Sequence, residues 1–102
     1  MSNQDISFKR TVTAAARELT HVLRKTASEN GWTDTALRGI RIHHDGKEFK
    51  LHTSESAKHE VWSHEYGTET SRPTATIRRF LNDENRMSEI LYRHYVGQDG
   101  GH

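Results

Sequence analysis

The sequence predicts a single α+β domain, and three observations carry that prediction. An apolar stripe at helical spacing opens the chain, an Asp-Gly turn sits between two alternating segments, and a second helical stripe follows the only proline, Pro73. The predicted order is a long N-terminal helix, an antiparallel β-hairpin and a C-terminal helix packed on one face of the sheet.

The first helix rests on Phe8, Val12, Ala15, Ala16, Leu19, Val22, Leu23 and Ala27, spaced three and four apart so that they line one face. Asp5 or Ser7 can cap its start, and Asn30-Gly31 supplies residues that tolerate a left-handed conformation after the last turn, which places the helix at about 6–29.

The hairpin is read from residues 39–52. Asp45-Gly46 suits a two-residue type I′ turn, which sets His44 opposite Lys47, Ile42 opposite Phe49 and Ile40 opposite Leu51. The apolar pairs share one face, and Arg41, His43, Lys50 and His52 share the other. Residues 54–66 fit neither period well. Ala57, Val61 and Trp62 suit a helical turn, whereas Trp62, His64 and Tyr66 suit a third strand, so both readings stand.

Gly67 opens a polar loop that ends at Pro73, a residue suited to the first turn of a helix because its missing N–H is not needed there. The second stripe is Ile77, Phe80, Leu81, Glu84, Met87, Leu91 and Tyr95, with a bend expected in the polar stretch 82–85. The predicted domain spans residues 1–96, and residues 97–102 form a flexible C-terminal tail.

With 102 residues the chain has length for one core, and with 31% hydrophobic residues that core is thin. Small thin-cored domains gain stability from disulfides, metals or oligomerisation, and the absence of cysteine removes the first. No apolar run approaches a membrane span and no signal segment is evident, so the expected setting is a reducing cytoplasm, with no membrane partner. The net charge of +1 declares no nucleic-acid partner by itself. Locally, Arg10, Arg17 and Arg24 recur every seven residues as a basic stripe on helix 1. That stripe is either a solvated face paired with glutamates or a DNA-facing surface. Arg72, Arg78 and Arg79 form a second cluster near the start of the last helix, placed to hold a phosphate or an acidic side chain.

Catalytic signals are weak. His59-Glu60 and His64-Glu65 resemble a zinc-protease helix only superficially, since the histidines are five apart where four is required. His43 and His52 can share a hairpin face, but two ligands make a poor zinc site. No serine sits in a nucleophile elbow and no glycine-rich phosphate loop precedes a helix. The expectation is a non-enzyme with no cofactor and no metal. A double-stranded RNA-binding domain shares the element order, but it needs a longer hairpin loop and a lysine cluster at the second helix to reach phosphates across grooves. Trp62 and Tyr66 are the aromatics the stripes explain least, and they serve either the core or an interface.

The run Val61-Trp62-Ser63-His64-Glu65-Tyr66-Gly67-Thr68, followed by Arg72-Pro73-Thr74-Ala75-Thr76-Ile77-Arg78-Arg79-Phe80, resembles a pattern of tailed-bacteriophage head-to-tail connector, neck and tail-completion (tail terminator-like) proteins. There a glutamate-aromatic-Gly-Thr run precedes a short loop and a proline-led helix with an Arg or Phe pair. The resemblance covers about 20 residues strongly, and Thr74 and Ala75 stand where a bulkier aromatic is often seen. It implies a structural virion protein, assembled in the host cytoplasm, that closes into a ring, usually of six subunits, at the head-to-tail junction or the top of the tail. Its partners would be copies of itself and the neighbouring connector and tail-tube proteins, with DNA only as a passing, non-specific contact. The resemblance puts Trp62, Glu65, Tyr66, Gly67, Thr68, Arg78, Arg79 and Phe80 at the subunit interface. A thin core and a sheet with exposed edges agree with a subunit completed by its neighbours. The alternative function is a small nucleic-acid-binding module using the Arg10, Arg17, Arg24 face.

Overall fold

Helix α1, Asn3–Glu29, is the axle of the molecule, because the sheet and the last two helices all pack on it. The computed structural model describes the backbone of residues 3–100 and the side chains of residues 8–95. After α1 come α2 (Asp34–Arg38), β1 (Ile40–His44), β2 (Phe49–Thr53), α3 (Lys58–Tyr66), α4 (Thr76–Asn82) and α5 (Glu84–Gly100). The α+β class and the order of long helix, antiparallel hairpin and following helices are those the sequence predicts.

The apolar stripe of α1 is buried at Val12, Ala15, Ala16, Leu19, Leu23 and Ala27, while Phe8 stays half exposed at its outer end. The helix starts at Asn3, upstream of both cap candidates. Its end is as expected. Gly31 adopts φ 85°, its N–H donates to the Ser28 carbonyl, and the Trp32 N–H donates to the Ala27 carbonyl. That is a Schellman closure, and it turns Trp32 back onto Ala27 in the core. Helix α2 has no counterpart in the predicted order. Thr33 caps it by accepting from the Ala36 N–H.

The hairpin differs from expectation by one turn position. Ile42 pairs with Leu51, Ile40 with Thr53 and His44 with Phe49. The turn is centred on Gly46-Lys47, closed by the Asp45 N–H to the Glu48 carbonyl, with Gly46 at φ 102°. A type I′ turn on Asp45-Gly46 would need positive φ at both residues. Instead, Asp45 Oδ1 accepts from the N–H groups of Lys47 and Glu48, which fixes the aspartate just before the turn. The register slips by two residues, so every side chain keeps its predicted face.

Residues 54–66 contain helix α3, and among the described residues the sheet has two strands. The helix lying on the sheet is α1, and the C-terminal helix α5 packs on α1, where Glu18 binds Arg93 (2.6 Å) and His94 (2.7 Å). The predicted last helix is two helices divided at Asp83. Its N–H closes α4 on the Phe80 carbonyl, and its Oδ1 caps α5 by accepting from the Arg86 N–H. Across the two helices Ile90 is buried, while Leu81 before the break and Tyr95 after it, both of the predicted stripe, are exposed. Helix α5 continues through Gly100, and the last two residues of the expected 97–102 tail lie outside the described residues.

One sheet edge is not open. Thr20 Oγ1 accepts from the Ile42 N–H (2.9 Å), and Arg24 Nε donates to the Ile40 carbonyl (3.0 Å), so α1 side chains close the edge of β1. The molecule measures 53 × 26 × 20 Å with a radius of gyration of 15.5 Å. A compact globule of this length has about 13 Å. The core is a thin layer strung along α1.

Candidate functional site

Two surfaces carry the predicted site residues. The first is built where α3 meets the start of α4. Helix α3 buries only Val61 and Glu65, one turn apart, and Glu65 is fully buried. Its Oε1 accepts from the Ile77 N–H (2.7 Å) and its Oε2 from the Arg78 N–H (3.0 Å), so a side chain from another helix caps the N-terminus of α4. Such a carboxylate satisfies otherwise orphaned amides and favours the positive end of the helix dipole. Arg78 Nε also donates to Oε2 (2.9 Å), and Arg78 Nη2 donates to the Glu65 backbone carbonyl (2.8 Å). Glu65 thus pairs its charge while its oxygens are hydrogen-bonded, as a buried carboxylate requires.

The connecting loop is tied just as closely. Gly67 has φ 82°, and a Cβ there would lie 2.7 Å from the Pro73 nitrogen and 2.8 Å from the Ser71 oxygen. Only glycine fits that turn. Thr68 Oγ1 accepts from the Ser71 N–H (3.1 Å). The N–H groups of Thr74 and Ala75 donate to the carbonyls of His64 and Glu65, ending α3. Pro73 therefore lies in the loop, and α4 begins at Thr76, because Thr74 and Ala75 serve α3 and Ala75 is left-handed at φ 52°. From the turn after α1, Asn30 Nδ2 donates to Thr76 Oγ1 (2.7 Å), and Trp32 Nε1 donates to Thr74 Oγ1 (2.9 Å) while its ring stacks on His64 at 5.3 Å.

Of the residues predicted at an interface, Glu65 and Phe80 are buried within the chain, and Gly67 and Thr68 shape the loop. Tyr66 is 57% exposed, Arg78 and Arg79 are exposed, and Trp62 is half-buried. The Trp62 and Tyr66 rings are 5.6 Å apart, and the Arg78 guanidinium lies 4.3 Å from the Tyr66 ring centroid. Glu65 holds Arg78 and Arg78 holds Tyr66, which leaves a preorganised aromatic and arginine platform on the surface. Asn30, Trp32, Thr74 and Thr76 belong to the same unit, and although Thr74 and Thr76 fall within the phage-like run, nothing in the local sequence marks their bonds to Asn30 and Trp32, 46 and 42 residues away.

The second surface is basic. Arg10 and Arg17, with Lys9, line a shallow hollow of about 400 Å³ on α1. Arg17 and Arg24 continue into a groove of about 550 Å³ between α1 and β1, which also takes in His21, Arg41, His43 and His44. Ala16, Thr20 and Ile42 lie between the cations. Among the described residues no carboxylate lines either cavity. Among the described residues glutamate pairing along α1 does not occur on this face, and Glu18 turns to α5.

His43 and His52 share a hairpin face with their ring centroids 6.5 Å apart. Among the described residues no group of three or more His, Cys, Asp or Glu side chains could hold a metal ion, and no helix is long and apolar enough to cross a membrane. Comparison with protein-family models, curated proteins and solved structures gave no match.

Proposed function

We propose that this chain is a structural subunit of a tailed-phage virion that closes into a ring, of six copies by the family pattern, at the head-to-tail junction or the top of the tail. Its work is assembly with its own copies and with adjoining connector and tail-tube proteins, with no catalytic step. One observation carries the reading: the residues of the phage-like pattern converge on a single unit that displays Tyr66 and Arg78 on a fixed support. Tyrosine, tryptophan and arginine dominate the energetics of protein interfaces, and holding them in place before contact lowers the entropic cost of binding. The elongated shape and thin core also suit a subunit that gains stability from its neighbours.

The test is the mass of the purified protein by light scattering over a hundredfold range of concentration. We expect a discrete multimer that dissociates on dilution, and at least tenfold weaker association for Tyr66→Ser with its circular dichroism unchanged. A strictly monomeric mass across the range, or a multimer indifferent to Tyr66→Ser and Arg79→Ala alike, would overturn this assignment of the interface.

A further inference from the structure

We propose that the groove between α1 and β1 is a binding site for the phosphate backbone of duplex DNA. Its cations are Arg17, Arg24, Arg41 and, when protonated, His21, His43 and His44. They come from two elements far apart in sequence, so the charge density of the groove belongs to the tertiary fold and is invisible in a net charge of +1.

Three features separate this groove from an ordinary solvated face. First, its arginines have no counter-ion among the described residues. Among the described residues Asp45 and Glu48 bind Lys50, Glu65 binds Arg78, and Glu18 binds Arg93 and His94, while no ion pair reaches Arg10, Arg17, Arg24 or Arg41. Second, the polar groups between the cations are already satisfied. Thr20 Oγ1 donates to the Ala16 carbonyl and accepts from the Ile42 N–H, and among the described residues no buried side-chain nitrogen or oxygen lacks a partner. The floor therefore demands no ligand of its own, and recognition falls to the rim. Third, the rim is oriented. Arg24 is anchored through Nε to the Ile40 carbonyl, and Arg41 stands on a strand fixed to α1 by Thr20.

Guanidinium groups match phosphate oxygens geometrically, and imidazole N–H groups donate to them even when neutral. Among the described residues no Phe, Tyr or Trp lines the groove, and the Phe8 and Phe49 rings beside it meet His44 edge-on, so the chemistry favours a backbone over stacked single-stranded bases. Arg10, Arg17 and Arg24 recur at seven-residue intervals, about 21 Å from first to last at 1.5 Å per residue. That length follows a backbone across more than half a turn of duplex, at about 34 Å per turn. A contact of this kind positions without reading sequence.

The experiment is fluorescence anisotropy with a labelled 30-base-pair duplex of arbitrary sequence, titrated with the full chain at several salt concentrations. Three proteins are compared: wild type, Arg17→Ala/Arg41→Ala, and the charge-matched control Arg38→Ala/Lys58→Ala. The side chains of Arg17, Arg41 and Lys58 are exposed, and each protein should keep its circular dichroism. We expect the groove variant to bind at least tenfold more weakly and the control less than threefold more weakly. The slope of log affinity against log salt should be shallower by about 2 for the groove variant, one unit for each arginine that no longer neutralises a phosphate. Equal weakening of both variants, or no binding by wild type at low salt, would overturn the proposal. Displacement of the duplex by polyglutamate at the same charge concentration would overturn it too, in favour of an acidic protein partner. Because binding is read per chain, the result does not depend on ring closure.

Discussion

Glu65 and the arginines of the α1–β1 groove are both ionised groups held in place by neighbouring elements, yet their surroundings are opposite. Glu65 is fully buried, and backbone N–H groups and one guanidinium occupy its two oxygens. Arg17 and Arg41 are exposed, and among the described residues no carboxylate lines their groove. A buried charge must be fully partnered inside the chain or it destabilises the fold, whereas an exposed charge can be left for a partner outside it. The same distinction divides Arg78 from Arg41. Arg78 is committed to Glu65 and supports Tyr66, while Arg41 has only the groove before it.

The largest expected effect breaks the internally satisfied side of this contrast. Glu65→Ala removes the cap of α4 and leaves the Ile77 and Arg78 N–H groups without acceptors. We expect a loss of about 3 kcal/mol, at the low end of the range for breaking a buried pair because the Arg78 side chain is half in solvent. Urea denaturation followed by circular dichroism measures it. A loss below about 1 kcal/mol would show that water or a rearranged α4 replaces the carboxylate.

An intermediate effect is expected where α1 closes the sheet edge. Thr20→Val keeps the shape of a buried side chain but removes the acceptor for the Ile42 N–H. An unsatisfied buried donor costs about 1–3 kcal/mol, and the added methyl recovers part of it, so a net loss of about 1 kcal/mol is expected in the same assay. Amide exchange at Ile42 should accelerate more than that at His43, whose N–H lies within the ladder opposite Lys50, which separates loss of the edge contact from general destabilisation.

These residues also mark what could be read from the sequence. The stripe of α1 and its Asn30-Gly31 end are legible because about 20 residues repeat one period and one glycine ends it. The faces of the hairpin are legible, but its register is not. It turns on whether Asp45 occupies the turn or precedes it, and its own side-chain hydrogen bonds decide that. Helix α2 is too short to show a period, with Ala36 its one buried residue. Helix α3 is ambiguous because its buried pair is Val61 and a glutamate. No local pattern announces a buried carboxylate whose acceptor role depends on amides 12 and 13 residues later. The Arg10, Arg17, Arg24 stripe is visible, whereas its extension to Arg41 and His43 emerges only when β1 docks on α1.

The smallest effect tests a charge partnered within the chain at the molecular surface. Asp45 accepts from the N–H groups of Glu48 and Lys47 and pairs with Lys50 at 3.1 Å, and these contacts, the backbone ones first, hold its carboxyl well below the usual range. A carboxyl depressed in the folded state binds its proton more readily when unfolded. Its contribution is therefore complete above the ordinary aspartate range, near about pH 4, and is lost progressively as pH falls below it. The thermal midpoint should drop between about pH 5 and pH 2, and Asp45→Asn should flatten part of that drop while leaving the midpoint at pH 7 slightly lower. The amide lacks the charge but keeps an oxygen for the turn N–H groups. An unchanged slope for Asp45→Asn would place the acid sensitivity elsewhere in the chain and would reduce Asp45 to a geometric role in centring the turn on Gly46-Lys47.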